Sequence, residues 1–423
     1  MATGSPQAQV AAKINPYYQD ALGRANYAQS LIRLIEQLSK GVIAIDGEWG
    51  CGKSWFGERL RIDLDQQGKT RTAWIDVFEA DWDDDPTMSL IASIASQLSE
   101  AEAKSLIEKV TPYLSKVLPI ATKAALKAAG NYLGVDKDIT DAVADAGKSS
   151  SEVYVKKHLE DAASKKKNLD DIKALLNASI EGQPKKLVVF IDELDRCSPA
   201  YAIRFLERLK HLFDLDGVIY ILLWNRKQVQ SSVELFYGAG SNGQMYLDKF
   251  VDYPLHLPLS QNPAGELPLA PLIHSIVGEL KGTPQAILSD NVHWIAAVAS
   301  ILQLTAREVQ RVSAWYVLSV NRQFAVIETW LLGLKVKYPD IFAGIRTGNR
   351  EAHQKAHELL RSTVIDPMAD GEHIKELQEL HSRFESQNFE NVDPHFARNY
   401  TGMGTDIRTC FSAAIRRLEQ QFQ

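Results

Sequence analysis

Two short runs of this chain carry residues whose types and spacing suit phosphate chemistry. The first is Gly47-Glu48-Trp49-Gly50-Cys51-Gly52-Lys53-Ser54, which satisfies GxxxxGK[ST]. Its glycines let the backbone turn so that successive N–H groups face an anion. In that arrangement Lys53 reaches the β- and γ-phosphates of a nucleoside triphosphate, and the Ser54 hydroxyl ligates Mg²⁺. Trp55, the next residue, is counted with the loop as nucleotide-contacting. The second run is Asp192-Glu193-Leu194-Asp195-Arg196. There Asp192 is placed to hold the metal's hydration shell, and Glu193 to orient and deprotonate the attacking water.

Both runs need strands to present them. Val42 to Ile45 (VIAI) reads as a short buried parallel strand feeding the glycine loop, and Lys53 to Leu64 continues as a helix that aims its N-terminal partial charge at the phosphates. Leu187 to Ile191 (LVVFI) is the most strand-like run and ends at Asp192, at the edge where open parallel sheets bind ligands. Further strands are expected at Thr72 to Phe78 and Val218 to Leu223, with helices at Asp20 to Leu38, Pro86 to Leu98 and Ala200 to Phe213. Strands alternating with helices imply an α/β parallel sheet of the P-loop type. Asn225 follows the Val218 run, where a polar side chain reaches the γ-phosphate or the water; its alternative role is turn formation. A second acid beside the first, plus such a residue, favours hydrolysis over transfer to a small acceptor.

Size and composition agree. A chain of 423 residues exceeds one ordinary core, and 45% hydrophobic with 24% charged residues is enough to build packed domains. We read residues 1–15 as a flexible arm without the apolar region of a secretory signal, 16–260 as the nucleotide-binding domain, and 261–423 as an all-α lid and tail. The stretch from about 101 to 177 is Ala- and Lys-rich and reads as a helical insertion. Net charge of -6 gives no general polyanion signal, and three dispersed cysteines suit a reduced, cytoplasmic chain.

The longest apolar stretch, Pro112 to Leu133, is interrupted by Lys116, Lys123 and Lys127, each costing about 2.5 kcal/mol or more at mid-bilayer. It reads as an amphipathic helix begun by Thr111-Pro112, packed on its own domain or, alternatively, lying against a membrane surface or partner. Lys165-Lys166-Lys167 reads as a solvated face, with nucleic-acid contact the alternative.

Taken in order, these motifs resemble the KAP family of P-loop NTPases. Asp20-Ala21-Leu22-Gly23-Arg24 is similar to that family's N-terminal D-x-L-x-R element, and the loop with Trp49 to its G-x-W-G-x-G-K-[ST]. FEADWDDDP (Phe78 to Pro86), DELDRCSP (Asp192 to Pro199) and Tyr246 to Phe250 resemble its later signatures. Glu193 stands where a second Asp is more usual, and the insertion lacks the transmembrane helices many members carry.

The resemblance implies ATP (less readily GTP) hydrolysis with Mg²⁺, used as a conformational switch or to drive assembly of a homo-oligomer or partner complex. It also implies work often near the inner face of a membrane, and for some bacterial members exclusion of phage or mobile elements. Arg196, Arg307 and Arg311 are candidates for contacting the γ-phosphate, Arg307 and Arg311 sharing a helix face at i, i+4. Two other functions fit the same residues: a scaffold that binds ATP with little turnover, and a nucleic-acid-directed effector.

Overall fold

The computed structural model describes residues 15–17, 20–81, 85–117, 154–181, 183–238, 240–259, 269–279, 285–319, 325–361, 367–390 and 406–420. It divides into two compact units. The first comprises the residues up to Tyr18, Asn26–Gly47 and Lys53–Leu257; the second comprises Gln19–Ala25, Glu48–Gly52 and Pro258–Gln423. Residues Glu48–Gly52, the crest of the glycine loop, thus group with the second unit.

The first unit is built on a sheet of five parallel strands: β1 (Gly41–Asp46), β2 (Thr70–Asp76), β3 (Lys186–Asp192), β4 (Val218–Trp224) and β5 (Tyr253–His256). Their order is β2-β3-β4-β1-β5. Its helices are α1 (Ala25–Gln37), α2 (Lys53–Gln67), α3 (Thr87–Ala95), α4 (Glu100–Val117), α5 (Tyr154–Glu181), α6 (Pro199–His211), α7 (Arg226–Tyr237) and α8 (Gly243–Leu247). Every residue of β4 is buried, as a central strand covered on both faces requires. Register aligns the strand ends: Asp46 is level with Trp224, Asp192 with Leu223, and Asp76 with Asp192. The connections that leave β1, β3 and β4 therefore start from one edge.

Three local features differ from the sequence reading, each for a physical reason. The second strand stops at Asp76, because its Oδ1 accepts from the N–H groups of Phe78 (3.1 Å) and Glu79 (3.2 Å) and turns the chain into a short 3₁₀ helix. β5 was not anticipated. It has four residues and contains Pro254, which lacks a ladder donor and is tolerated because the strand lies at the sheet edge. Thr111-Pro112 does not begin a helix; Pro112 lies inside α4, whose Leu106 and Val110 are buried in the core. The Thr111 hydroxyl is turned back onto the Ile107 carbonyl (2.6 Å) and caps nothing. The rest of that amphipathic stretch, 118–133, lies outside the described residues.

α2 packs closely on the sheet. A Cβ at Gly57 would overlap Leu223 Cδ1 and stand 3.1 Å from the Trp74 ring, so a larger residue there would force those side chains to shift.

Among the described residues the second unit is helical: α9 (Ala270–Glu279), α10 (Gln285–Ile301), α11 (Ala306–Ser319), α12 (Ala325–Lys337), α13 (Pro339–Arg346), α14 (Arg350–Arg361), α15 (Pro367–Ser386) and α16 (Cys410–Gln420). Its core includes Trp330, Leu331, Leu332, Phe411 and Leu22. Among the described residues no helix is long and apolar enough to cross a membrane.

Candidate functional site

The glycine loop leaves β1 and runs into α2. Gly47 N–H donates to the Trp224 carbonyl at the end of β4 (3.2 Å), and Cys51 N–H closes a turn on the Glu48 carbonyl (3.2 Å). Gly50 and Gly52 hold φ of 82° and 93°, which side-chain-bearing residues rarely adopt. The Lys53 ammonium lies across the loop, donating to the Gly47 carbonyl at 2.7 Å. Trp49 is exposed. On α2, Arg59 lies over the ring of Trp55 at 5.2 Å.

The loop crest is held from within the second unit. Thr305 and Glu308 form a reciprocal cap at the start of α11, with Thr305 N–H donating to Glu308 Oε2 at 2.7 Å. The next unused N–H of that first turn belongs to Arg307, and it donates to the Gly50 carbonyl at 3.0 Å. Arg307 thus meets the loop through its main chain, and a Cβ at Gly50 would lie 2.7 Å from the Arg307 Cβ. Arg311 is exposed one turn further along the same helix. The second holder is Arg24, whose Nη2 donates to the Cys51 carbonyl at 2.9 Å.

The acids assemble at the end of β3. Asp192 is buried; its Oδ1 accepts from Glu193 N–H at 2.9 Å, and its carboxylate is hydrogen-bonded by the Ser54 hydroxyl. Burial raises this carboxyl above its ordinary range, opposed by the Ser54 and Glu193 hydrogen bonds and by the nearby Lys53 charge. The two residues expected to share a metal are therefore in contact, with the loop lysine beside them.

Glu193 adopts a left-handed backbone, φ 65° and ψ 16°. For a non-glycine residue such strain costs on the order of 1 kcal/mol and concentrates at functional positions. Desolvation, reinforced by Asp192 and by Asp76 and Asp195, pushes its carboxyl up to about 7. Arg196 opposes that rise and forms an ion pair with Glu193. Arg196 thus serves the glutamate in this arrangement. Asn225 caps α7, its Oδ1 accepting from Gln228 N–H at 3.3 Å.

Three residues outside the predicted catalytic, binding and metal set organise the site. Asp195 Oδ2 accepts from Asn225 N–H at 2.9 Å and ties the turn after β3 to the end of β4. Asp46 Oδ1 accepts from Arg226 N–H at 2.8 Å, linking β1 to the start of α7. Arg24 is the third. Asp195 and Arg24 both sit inside runs already singled out, but nothing in their spacing said which carbonyl or amide they would meet.

Among the described residues no trio of His, Cys, Asp or Glu forms an all-protein metal cage. Magnesium needs none, since it binds through one or two protein ligands together with substrate phosphates. Residues 24–319 match the profile of the KAP family P-loop domain. The phage T7 exclusion protein of Escherichia coli (strain K12) is 21% identical over 264 residues, which cover 57% of this chain and 33% of that protein. The chain thus spans about a third of that relative's length. With the glycine loop, the acid-bearing strand and a profile match over more than half its length, this chain belongs to the KAP family of P-loop NTPases.

Proposed function

We propose that this chain hydrolyses ATP with Mg²⁺ and uses the cycle as a conformational switch or to drive assembly. The observation that carries the reading is the hydrogen bond between Ser54 and a desolvated Asp192, with Glu193 one residue further on. The residues present fit a magnesium nucleotide. Ser54 and Asp192 offer hard oxygen donors at one point, and Gly50 and Gly52 hold the loop in a form a Cβ would oppose. Magnesium, when bound, supplies charge neutralisation at the phosphate oxygens and a fixed orientation for them.

The chain's own residues do the rest. Lys53 neutralises the outer phosphates, and its bond to Gly47 keeps the ammonium at the loop. Glu193 accepts a proton from the attacking water at a carboxylate oxygen. Its raised pKa makes it a stronger base than an ordinary glutamate, at the cost of being partly protonated at neutral pH.

The Arg196–Glu193 ion pair favours a second reading, an ATP-binding scaffold with little turnover, because an engaged carboxylate is a poor base. Phosphate release by the full chain separates the two. Turnover abolished in Glu193→Gln with ATP affinity retained supports hydrolysis; a wild type that binds ATP without releasing phosphate supports the scaffold. Running ATP and GTP in competition tests the base.

Assembly is tested by sizing chromatography with and without ATP, where Lys53→Ala should lose any nucleotide-dependent shift. The relative is named for excluding phage T7. We extend that role to this chain as a proposal, supported if phage plating falls in cells expressing the wild type but not Lys53→Ala.

A further inference from the structure

Arg24 is almost wholly buried, 1% exposed, yet its bonds run to main-chain carbonyls. Nη2 donates to Cys51 O at 2.9 Å and to Leu259 O at 3.4 Å, and Nε donates to Pro258 O at 3.0 Å. Asp20 lies close enough to offset its charge, while Asp20 Oδ2 accepts from Ala25 N–H at 2.9 Å and fixes the chain beside Arg24. Burying a guanidinium is costly, and an apolar side chain would fill the same space without that cost. The planar fork is what an apolar residue lacks: it addresses separated carbonyls at fixed angles.

We propose that Arg24 is the positioning residue of the phosphate loop, gripping the Cys51 carbonyl from behind so that the Gly52 N–H is aimed at the phosphates. The proposal rests on reading the loop as a phosphate cradle. The peptide between Cys51 and Gly52 is trans, so its C=O and N–H point in opposite directions. Fixing the carbonyl on Arg24 therefore turns the amide away from Arg24. Gly52, at φ 93°, has no Cβ of its own to fix that peptide's orientation.

The same pair shows mutual constraint: a Cβ on Gly52 would stand 3.0 Å from Arg24 Nη1. Its positive φ already favours glycine at 52, and a Cβ there would also crowd the Arg24 guanidinium. Arg307 N–H on the Gly50 carbonyl fixes the preceding part of the crest in the same manner. The amide orientation is set before any phosphate arrives, so the ligand does not have to order it.

The test uses the full chain and titration calorimetry with MgATP and MgADP. Arg24→Lys keeps the cation but loses the fork. It should weaken ATP and ADP by the same factor, about tenfold or more, because backbone amides cradle the α- and β-phosphates. Lys53→Ala should instead weaken ATP more than ADP. Hydrogen exchange of the peptide spanning 48–54 should quicken in Arg24→Lys while α2 beyond Phe56 is unchanged.

If Arg24→Ala fails to fold, the lysine variant and its exchange pattern still decide. An Arg24→Lys protein that binds both nucleotides like the wild type, even with a lower melting temperature, overturns the proposal and leaves Arg24 a packing residue. A wild type that binds neither nucleotide overturns the phosphate-loop reading as well, and so is told apart from failure of the Arg24 role alone.

Discussion

Glu193→Gln tests the electrostatics of the acid site without invoking catalysis. The wild-type carboxyl is pushed up to about 7 by burial and by Asp192, against an ordinary value of 4.5. Its folded-state pKa is raised, so it is ionisation in the fold that costs free energy. The destabilisation is absent below the unfolded pKa and grows as pH rises from 4.5 to 7.

At 1.36 kcal/mol per pKa unit the penalty reaches about 3 kcal/mol by pH 8 and falls below ~0.5 kcal/mol at pH 4.5. Glutamine has nearly the same shape and never ionises. The variant should therefore melt higher than the wild type at pH 8, by roughly 2–4 °C per kcal/mol for a unit of this size. The two should coincide at pH 4.5.

Arg196 loses its partner in the variant, but its side chain is 42% exposed and rehydrates cheaply. Differential scanning calorimetry across pH 4.5–8 reads the difference in melting temperature between the two proteins. If wild type and Glu193→Gln melt together at pH 8, Glu193 is not a desolvated carboxyl, and its assignment as a tuned base fails with it.

Two further outcomes follow from packing and burial. Gly57→Ala forces a Cβ into overlap with Leu223 Cδ1 beneath the loop helix, and should destabilise the first unit by about 1–3 kcal/mol, measured by urea unfolding. In the second unit, Trp330 Nε1 donates to His381 Nε2 at 2.9 Å, and the Nδ1 atoms of His353 and His381 meet at 3.0 Å. Burial lowers His353 to about 4, so the stability this neutral ring contributes above pH 6.5 is lost as pH falls towards 4. His353→Phe should flatten that acid loss in the second unit's melting transition; an unchanged acid slope would mean the loss originates elsewhere.

Much of the first unit was legible in local chemistry. Four-residue and longer apolar runs at Val42 and Leu187 mark buried parallel strands whatever surrounds them, and a glycine loop directly after one of them has few other uses. Asp192 followed as the residue leaving its strand. These are properties of neighbouring residues, where periodicity and turn preference act within a few positions.

Other features were invisible for want of distance information. Edge strand β5 carries too few residues, and a proline, to outweigh its own turn signals; it exists because β1 offers it a ladder. Asn225 carried both a catalytic and a turn-forming reading in sequence, and its side-chain oxygen is engaged in capping because Gln228 presents a free helix N–H. Arg307 was named for its guanidinium, yet its main-chain N–H is what meets Gly50, since the capping pair around it leaves that donor unused.

The residue types alone thus determined that a phosphate-binding loop and an acid-bearing strand are present, because both are written in contiguous, short-range patterns. Only the tertiary structure decided that Ser54 touches Asp192, that Glu193 is strained and desolvated, and that Arg24 grips Cys51. Those depend on segments tens to hundreds of residues apart converging in space, where burial and hydrogen bonding set energies that no local spacing encodes.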